Sequence, residues 1–339
     1  MFVIKYIGSK RKLVPHILEQ IQSLENVTNV CDLFTGTTRV AQACKQAGMY
    51  VSANDLASYS SVLASAYIAT DADTIDTNRI QQLLDHLNAL PGEPGYITRT
   101  FCEDARYFHP RNGARIDAIR AEIDQLLLSD QERAVLMTSL LLAADRVDST
   151  TGVQMAYLKQ WAPRAHNDLE MRLPDLIAGP GEAHQQDAVA FAKAGGTREV
   201  DLTYIDPPYN QHSYAGNYHV WETLVRNDEP EAYGIARKRV DIRGVRNPWN
   251  SKPRFRATLM SLLTAIESRY FLLSFSNEGF VPTQELELLL REFGEVTRID
   301  IDFQRYIGAQ IGVHNPAGEK VGTVSHTTNV EHLFLVDQG

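Results

Sequence analysis

Cysteine is scarce in this 339-residue chain. Only Cys31, Cys44 and Cys102 occur, far apart, and none sits in a CxxC pair or beside a histidine at metal-ligand spacing. A disulfide framework and a structural zinc site are therefore not expected, and buried reduced thiols are. No run of 18 or more uncharged apolar residues is present, so no transmembrane helix is expected. Met1 to Lys12 places its apolar residues before its basic cluster, the reverse of a secretory signal, which predicts a cytoplasmic protein. There is no GxGxxG, which disfavours a dinucleotide. Net positive charge is lacking as well. The sum is −9, which argues against a nucleic-acid binder at the level of the whole surface but not of a local face.

What is present is a core-forming composition, 44% hydrophobic, long enough for one large domain with insertions or for two domains. Apolar spacing predicts a helix over 10–25, a strand over 27–34, a helix over 37–48 closed by Gly48, a strand over 50–53 and a helix over 58–69. This alternation is the pattern of a parallel α/β sheet. The segment from about Arg79 to Leu176 reads as mostly helical, with its best helices over 116–128 and 131–147. Gly179-Pro180-Gly181 and Gly195-Gly196 read as loops around a short helix. Strand patterning resumes over 200–205. Helices follow over 217–225, 258–268 and 283–293, with strands over 270–275, 296–303 and 331–336. Residues 308–328 read as a loop or hairpin.

The strongest chemical signal is Asp206-Pro207-Pro208-Tyr209, directly after a buried-looking strand. An aromatic amino group is a poor nucleophile because its lone pair is delocalised into the ring. A carboxylate (Asp206) and a backbone carbonyl (Pro207) that both accept its N–H bonds draw the nitrogen toward tetrahedral geometry. The prolines fix φ and keep the turn rigid, and Tyr209 offers a ring on which an extruded base can stack. The alternative is a Pro-rich turn with Asp206 as a cap.

Around it stand weaker signals. Asp32-Leu33-Phe34-Thr35-Gly36-Thr37-Thr38 puts a glycine just after the first strand, where a cofactor can approach the backbone ahead of a helix N-terminus. Asp32 can accept a bond from a cationic amino group. Asp55 ends the second strand roughly 20 residues on, the spacing at which an acidic residue takes ribose hydroxyls; it can equally cap the next helix. Lys5-Tyr6-Ile7-Gly8-Ser9-Lys10-Arg11-Lys12 is a basic, Gly-containing turn suited to carboxylate or phosphate groups, or else an ordinary solvated segment. Arg237, Lys238, Arg239, Arg243, Arg246, Lys252, Arg254 and Arg256 form a concentrated basic run with Trp249 and Phe255 interleaved and Asp241 its one acid. Such a run supplies phosphate contacts in a nucleic-acid binder, or forms a charged surface loop.

Together, in this order, these motifs resemble the Dam-type, alpha-group DNA adenine methyltransferase family, and within it the methylases of type II restriction–modification systems, in which Tyr-Ile-Gly-Ser-Lys opens the chain. The likeness extends through Arg115–Ile123, Asp145–Lys159, Tyr218–Thr223 and Ser274–Gly279. It implies a Rossmann-like S-adenosylmethionine-dependent methyltransferase sheet with an inserted, mostly helical recognition region. The catalytic domain would be 1–75 with 180–339, the insertion 76–179, and 227–256 a DNA-contacting loop. It implies that Tyr6, Lys10, Asp32, Phe34, Gly36, Asp55 and Asp187 line the cofactor site, and that Asn210, His212, Tyr214 and His219 border the target-base pocket. No metal is required. Double-stranded DNA is the implied partner, with a cognate restriction endonuclease as a further candidate and no membrane, in the bacterial cytoplasm at the nucleoid. Thr38 departs from the family, which usually has a second glycine there; a β-branched residue is expected to crowd the backbone. Rival readings are a cytosine-N4 or RNA methyltransferase, and a DNA-binding module of the same fold without turnover.

Overall fold

The computed structural model describes residues 4–6, 10–211, 213–245, 247–304, 313–314, 320–322 and 328–339. Seven strands form one sheet: β1 (Asn29–Asp32), β2 (Tyr50–Asp55), β3 (Gly181–Gln185), β4 (Leu202–Ile205), β5 (Tyr270–Ser276), β6 (Glu295–Gln304) and β7 (Thr328–Asp337). Their order across the sheet is β3-β2-β1-β4-β5-β7-β6. The first five are parallel, and β7 runs antiparallel to both β5 and β6.

Both faces are covered, and the sequence explains how. All seven residues of β5 are buried, the continuous apolar run expected of a strand packed on two sides. Alternate side chains serve alternate layers. Val30, Leu202 and Leu272 pack into one apolar cluster, and Cys31, Ile205, Phe271 and Leu273 into the other. The first layer holds α1 (Val14–Gln22), α2 (Arg39–Gln46), α3 (Ser58–Ala64), α4 (Thr77–Ala89), α5 (Pro110–Gln125) and α6 (Asp130–Arg146). The second holds α7 (Ala188–Lys193), α9 (Lys252–Leu263) and α10 (Thr283–Leu290), while α8 (His219–Arg226) joins the first.

The inserted region differs from its expected form in two respects. It is helical only as far as Arg146; residues 147–178 are irregular apart from one 3-10 turn at Pro163–His166. Its helices also share the sheet's core. Every residue of α6 from Ala134 to Asp145 is buried, so this stretch of the helix is covered all round and offers no outer face. It starts on a capping box, Ser129 with Glu132, which fixes its N-terminus.

β3 was not expected. Its sequence, Gly-Glu-Ala-His-Gln, has no residue that is fully buried. An edge strand with one free side needs little apolar patterning, so the pairing with β2 leaves almost no trace in composition. The expected loop over 308–328 lies largely outside the described residues. No helix among the described residues is long and apolar enough to cross a membrane.

The order reverses between β1 and β4: the chain leaves β1 for β2 on one side and reaches β4 on the other. In open α/β sheets this switch point, at the carboxyl ends of the strands, is where ligands bind. Register places Asp32 beside Tyr204, so Asp32 and Asp206 emerge at the same rim.

Candidate active site

At that rim lies a cavity of about 450 Å³, within the range of small-molecule sites. Its lining includes Tyr6, Lys10, Asp32, Phe34, Gly36, Asp55, Asp187, Asp206, Pro208 and Tyr214. The sequence-predicted cofactor residues are thus brought to one place, on the same hollow as Asp206.

The glycine turn forms for local reasons. Thr35 N–H donates to the Asn54 carbonyl at 3.0 Å and Thr38 N–H to the Thr35 carbonyl at 2.6 Å. Gly36 has φ +50°, which disfavours a side chain, and a Cβ there would rest in contact with the Tyr6 ring at 3.4 Å. Asp55 Oδ2 accepts from Gly36 N–H at 2.8 Å and Oδ1 from Ala57 N–H at 2.9 Å. Asp55 thus fastens the turn while lining the cavity. Asn54, fully buried, donates to the carbonyls of Leu33 and Gln186 and accepts from Gln186 N–H. It ties the ends of β1 and β2 to the segment carrying Asp187, whose carboxylate also caps α7 through Ala190 N–H.

Thr38 occupies the left-handed region, φ 62° and ψ 19°. Its side chain is buried away from the cavity: the hydroxyl donates to the Thr37 carbonyl and accepts from Gln42 Nε2 at 2.6 Å. The expected crowding is thus a backbone strain beneath the turn, and the hollow itself is unobstructed by it.

Two carboxylates, the buried Asp32 and the half-buried Asp206, dominate the electrostatics. Asp32 is 1% exposed and its Oδ1 has no hydrogen-bond partner among the described residues. Burial, with Asp206 and Asp55 nearby, pushes its carboxyl up to about 7, against a lowering contribution from Thr35. Asp206 is pushed up to about 6 by burial, with Glu331 adding to the rise and Lys10 opposing it. Lys10 Nζ lies 3.1 Å from Asp206 Oδ1 and 3.4 Å from Glu331 Oε2. Burial disfavours the ammonium, but Asp206, Tyr209 and Glu331 outweigh it and raise its pKa. The Nζ also stands 5.7 Å from the Tyr209 ring centroid. Lys10, expected among the cofactor residues, lines the cavity yet is engaged by the Asp206 carboxylate.

Tyr6 is held from both sides. Its ring stacks on Tyr218 at 4.4 Å and Tyr214 at 5.5 Å. Its neighbour Lys5 donates to Asp148 Oδ1 at 2.7 Å and to the Asp145 carbonyl at 2.8 Å, fastening this segment to the end of α6. Tyr209 packs its ring against Phe275 at 5.3 Å. The Asn210 carbonyl accepts from Asn250 Nδ2 at 2.8 Å, linking the turn after Asp206 to the basic segment.

Several expectations are corrected. His219 does not border the hollow: it is fully buried with Nε2 2.8 Å from the Gln154 carbonyl, and burial lowers its pKa to about 4. A neutral core histidine satisfies a backbone acceptor here. Arg239 is 1% exposed, held by both oxygens of Asp228 and by Asp241, so its guanidinium serves the inner wall and is unavailable to an outer surface. Trp249 and Phe255, expected among exposed basic residues, are buried; Trp249 lines the hollow edge-on to Phe34 at 5.2 Å. Arg237 pairs with Asp104 at 2.6 Å, and Arg243 lies over the Tyr233 ring at 5.2 Å. Lys238 is partly exposed; Lys252 and Arg254 are exposed at the start of α9. His212 and Arg246 lie outside the described residues. Trp249, Tyr59, Gln186 and Glu331 escaped the sequence reading. Glu331 alone left a signal, a charge at the head of the apolar run Leu333-Phe334-Leu335-Val336.

Residues 6–247 match the family described as D12 class N6 adenine-specific DNA methyltransferase. Modification methylase StsI of Streptococcus sanguinis is 31% identical over 315 residues, covering 88% of this chain and 47% of that protein. Type II methyltransferase M.NlaIII of Neisseria lactamica is 28% identical over 315 residues, covering 89% and 92%. Type II methyltransferase M.FokI of Planomicrobium okeanokoites is 30% identical over 314 residues, covering 86% and 47%. The chain thus spans about half the length of the first and third.

Proposed function

Because the chain belongs to the D12 class N6 adenine-specific DNA methyltransferase family, we propose that it methylates the exocyclic amino nitrogen, N6, of adenine at a specific site in double-stranded DNA, with S-adenosylmethionine as donor. One observation carries this reading: Asp206, at the rim end of β4, and Asp32, at the end of β1, whose Oδ1 has no hydrogen-bond partner among the described residues, line one hollow.

The residues fit the donor. A buried carboxylate oxygen without a partner is costly, and a cationic amino group answers it; Asp32 would hold the donor's ammonium. Asp55 would accept from its ribose hydroxyls, and the crossed rings of Phe34 and Trp249 would wall its adenine, with Asp187 at the edge. When bound, the donor supplies an electrophilic methyl carbon on a sulfonium.

The rest is positioning and hydrogen bonding by this chain. Asp206 Oδ1 and the Pro207 carbonyl accept the amine's N–H bonds and aim its lone pair. Pro207 and Pro208 hold those acceptors still. An adenine inside a duplex cannot reach them, so the target base is extruded, with Tyr209 and Tyr214 as aromatic walls. Lys238, Arg243, Lys252 and Arg254 contact phosphates, and Arg237 does so if it leaves Asp104. The insertion 76–179 contributes recognition through its exposed residues, since α6 is interior. A cognate endonuclease as partner, and action at the nucleoid in the cytoplasm, belong to the same reading.

The test is transfer of labelled methyl from S-adenosylmethionine to mixed-sequence duplex DNA, followed by mass spectrometry of the released nucleosides. N6-methyladenine is expected from the wild type. Asp206→Ala should lose about 100-fold or more in kcat, the scale of removing one preorganised hydrogen-bonding group. Methylated cytosine, or label in RNA alone, would replace this reading with a rival. Equal, negligible label from both proteins while both bind DNA would leave only a binding module.

A further inference from the structure

The oxygen that the proposed chemistry needs is already engaged. Asp206 Oδ1 holds the Lys10 ammonium at 3.1 Å, so an amino group docking on that oxygen competes with it. Lys10 is 7% exposed, and a buried ammonium stripped of its counter-charge costs several kcal/mol. Displacement is therefore feasible only if a second acceptor waits within reach. Glu331 Oε2 is that acceptor, 3.4 Å from Nζ, longer than a tight charge-assisted bond and able to shorten.

Glu331 is placed for this by the fold. It sits on β7 opposite Ser276 of β5 and Ile301 of β6, 8% exposed, just before the strand turns wholly apolar. A carboxylate in that position is unfavourable without a cation, and Lys10 supplies one. Glu331 is not among the residues lining the hollow.

We propose that Glu331 is a positioning residue for methyl transfer, receiving the Lys10 ammonium when the target amino group docks on Asp206. This rests on the reading of Asp206 as the amine's acceptor. One ammonium serves two carboxylates in turn: it shields Asp206 while the base is absent and moves to Glu331 when the base arrives. No bond is made or broken in the exchange, and the net charge of the trio is conserved.

The groups facing Asp206 are Lys10, Glu331, Asp32, Tyr204, Tyr209 and Tyr214. Glu331 repels its ionised form and Lys10 favours it. Neutralising Glu331 therefore makes Asp206 easier to ionise, and the acid limb of kcat/KM should move to lower pH even as the plateau falls. A merely structural role for Glu331 predicts a lower plateau with an unmoved limb.

The experiment compares the full-length wild type, Glu331→Gln, Glu331→Asp, Lys10→Gln and the Lys10→Gln/Glu331→Gln pair, with duplex DNA and labelled S-adenosylmethionine. Glu331→Gln should lower kcat about 10-fold, the size of losing one charged hydrogen bond, with cofactor affinity within about 2-fold and the acid limb lowered. Glu331→Asp should recover part of the rate with the limb at its wild-type position, and it stands in should the glutamine variant fail to fold. The double variant should be no slower than Lys10→Gln alone, because residues acting through one another are not additive. An unchanged kcat in Glu331→Gln, an unmoved limb, or additive losses would overturn the proposal. A wild type that transfers no methyl sinks the functional reading first and this inference with it. An active wild type beside an indifferent Glu331→Gln sinks this inference alone.

Discussion

The two ends of the cavity use the same residue type in opposite ways. At the end formed by β1 and β2, Asp32 is buried with an oxygen that no described residue hydrogen-bonds. At the end formed by β4, Asp206 is half-buried and one of its carboxylate oxygens is engaged by Lys10. An unanswered charge suits a ligand that brings its own cation. A charge answered from within suits a neutral guest that arrives and leaves, because the protein can restore the pair between visits. The difference shows that burial alone does not define a site's chemistry; whether the partner is built in or imported does.

This contrast can be broken at either end. The largest effect should come from Asp206→Ala, whose loss of turnover ought to leave cofactor affinity, read by equilibrium dialysis, within a few-fold of wild type. A collapse of cofactor binding would mean the two ends are one. Next, Asp32→Asn should weaken cofactor binding roughly 10- to 100-fold, the worth of a hydrogen bond between charged partners, while DNA binding stays unchanged. The wild-type affinity should rise with pH through about 7, because the carboxyl must ionise to take the ammonium. The sign reverses for stability without ligand. A carboxyl whose pKa is raised by folding stabilises the protein at low pH, and that contribution is lost as pH climbs from about 4 through about 7. Asp32→Asn should thus melt a few degrees higher than wild type at pH 8 and not at pH 4.

A smaller effect is expected outside the cavity. Arg254→Ala should weaken DNA binding only several-fold and reduce the slope of log affinity against log salt by about one, with no change in melting temperature. The smallest belongs to Thr38→Gly, which relieves left-handed strain of about 1 kcal/mol but forfeits the bond from Gln42. Cofactor affinity within about 3-fold of wild type is expected, since the threonine side chain points away from the hollow. A larger change would place Thr38 in the site after all.

Much of this arrangement was legible in the residues. Asp32, Gly36, Asp55 and Asp206 each end a strand or open a turn, and strand ends at a switch point converge by topology alone. The parallel half of the sheet showed itself because strands covered on both sides are written in apolar residues. What escaped did so for physical reasons. β3 is an edge and carries no apolar stripe. His219 and Arg239 read as functional because their types are, yet a histidine with a buried carbonyl and an arginine between two aspartates are interior fittings, visible only once Gln154, Asp228 and Asp241 are placed. Trp249 sat among basic residues in sequence and turned inward in space. Lys10 with Glu331 could not be foreseen, since no local pattern joins positions on different layers.

That last pair is separated by 321 residues of chain. Contacts of such long sequence separation form late, after the entropy of closing the intervening loop has been overcome. A growing polypeptide that has already exposed Asp206 must wait for β7 before its lysine has a second seat, so a partly synthesised chain holds every motif of the rim and lacks the means to exchange guests there.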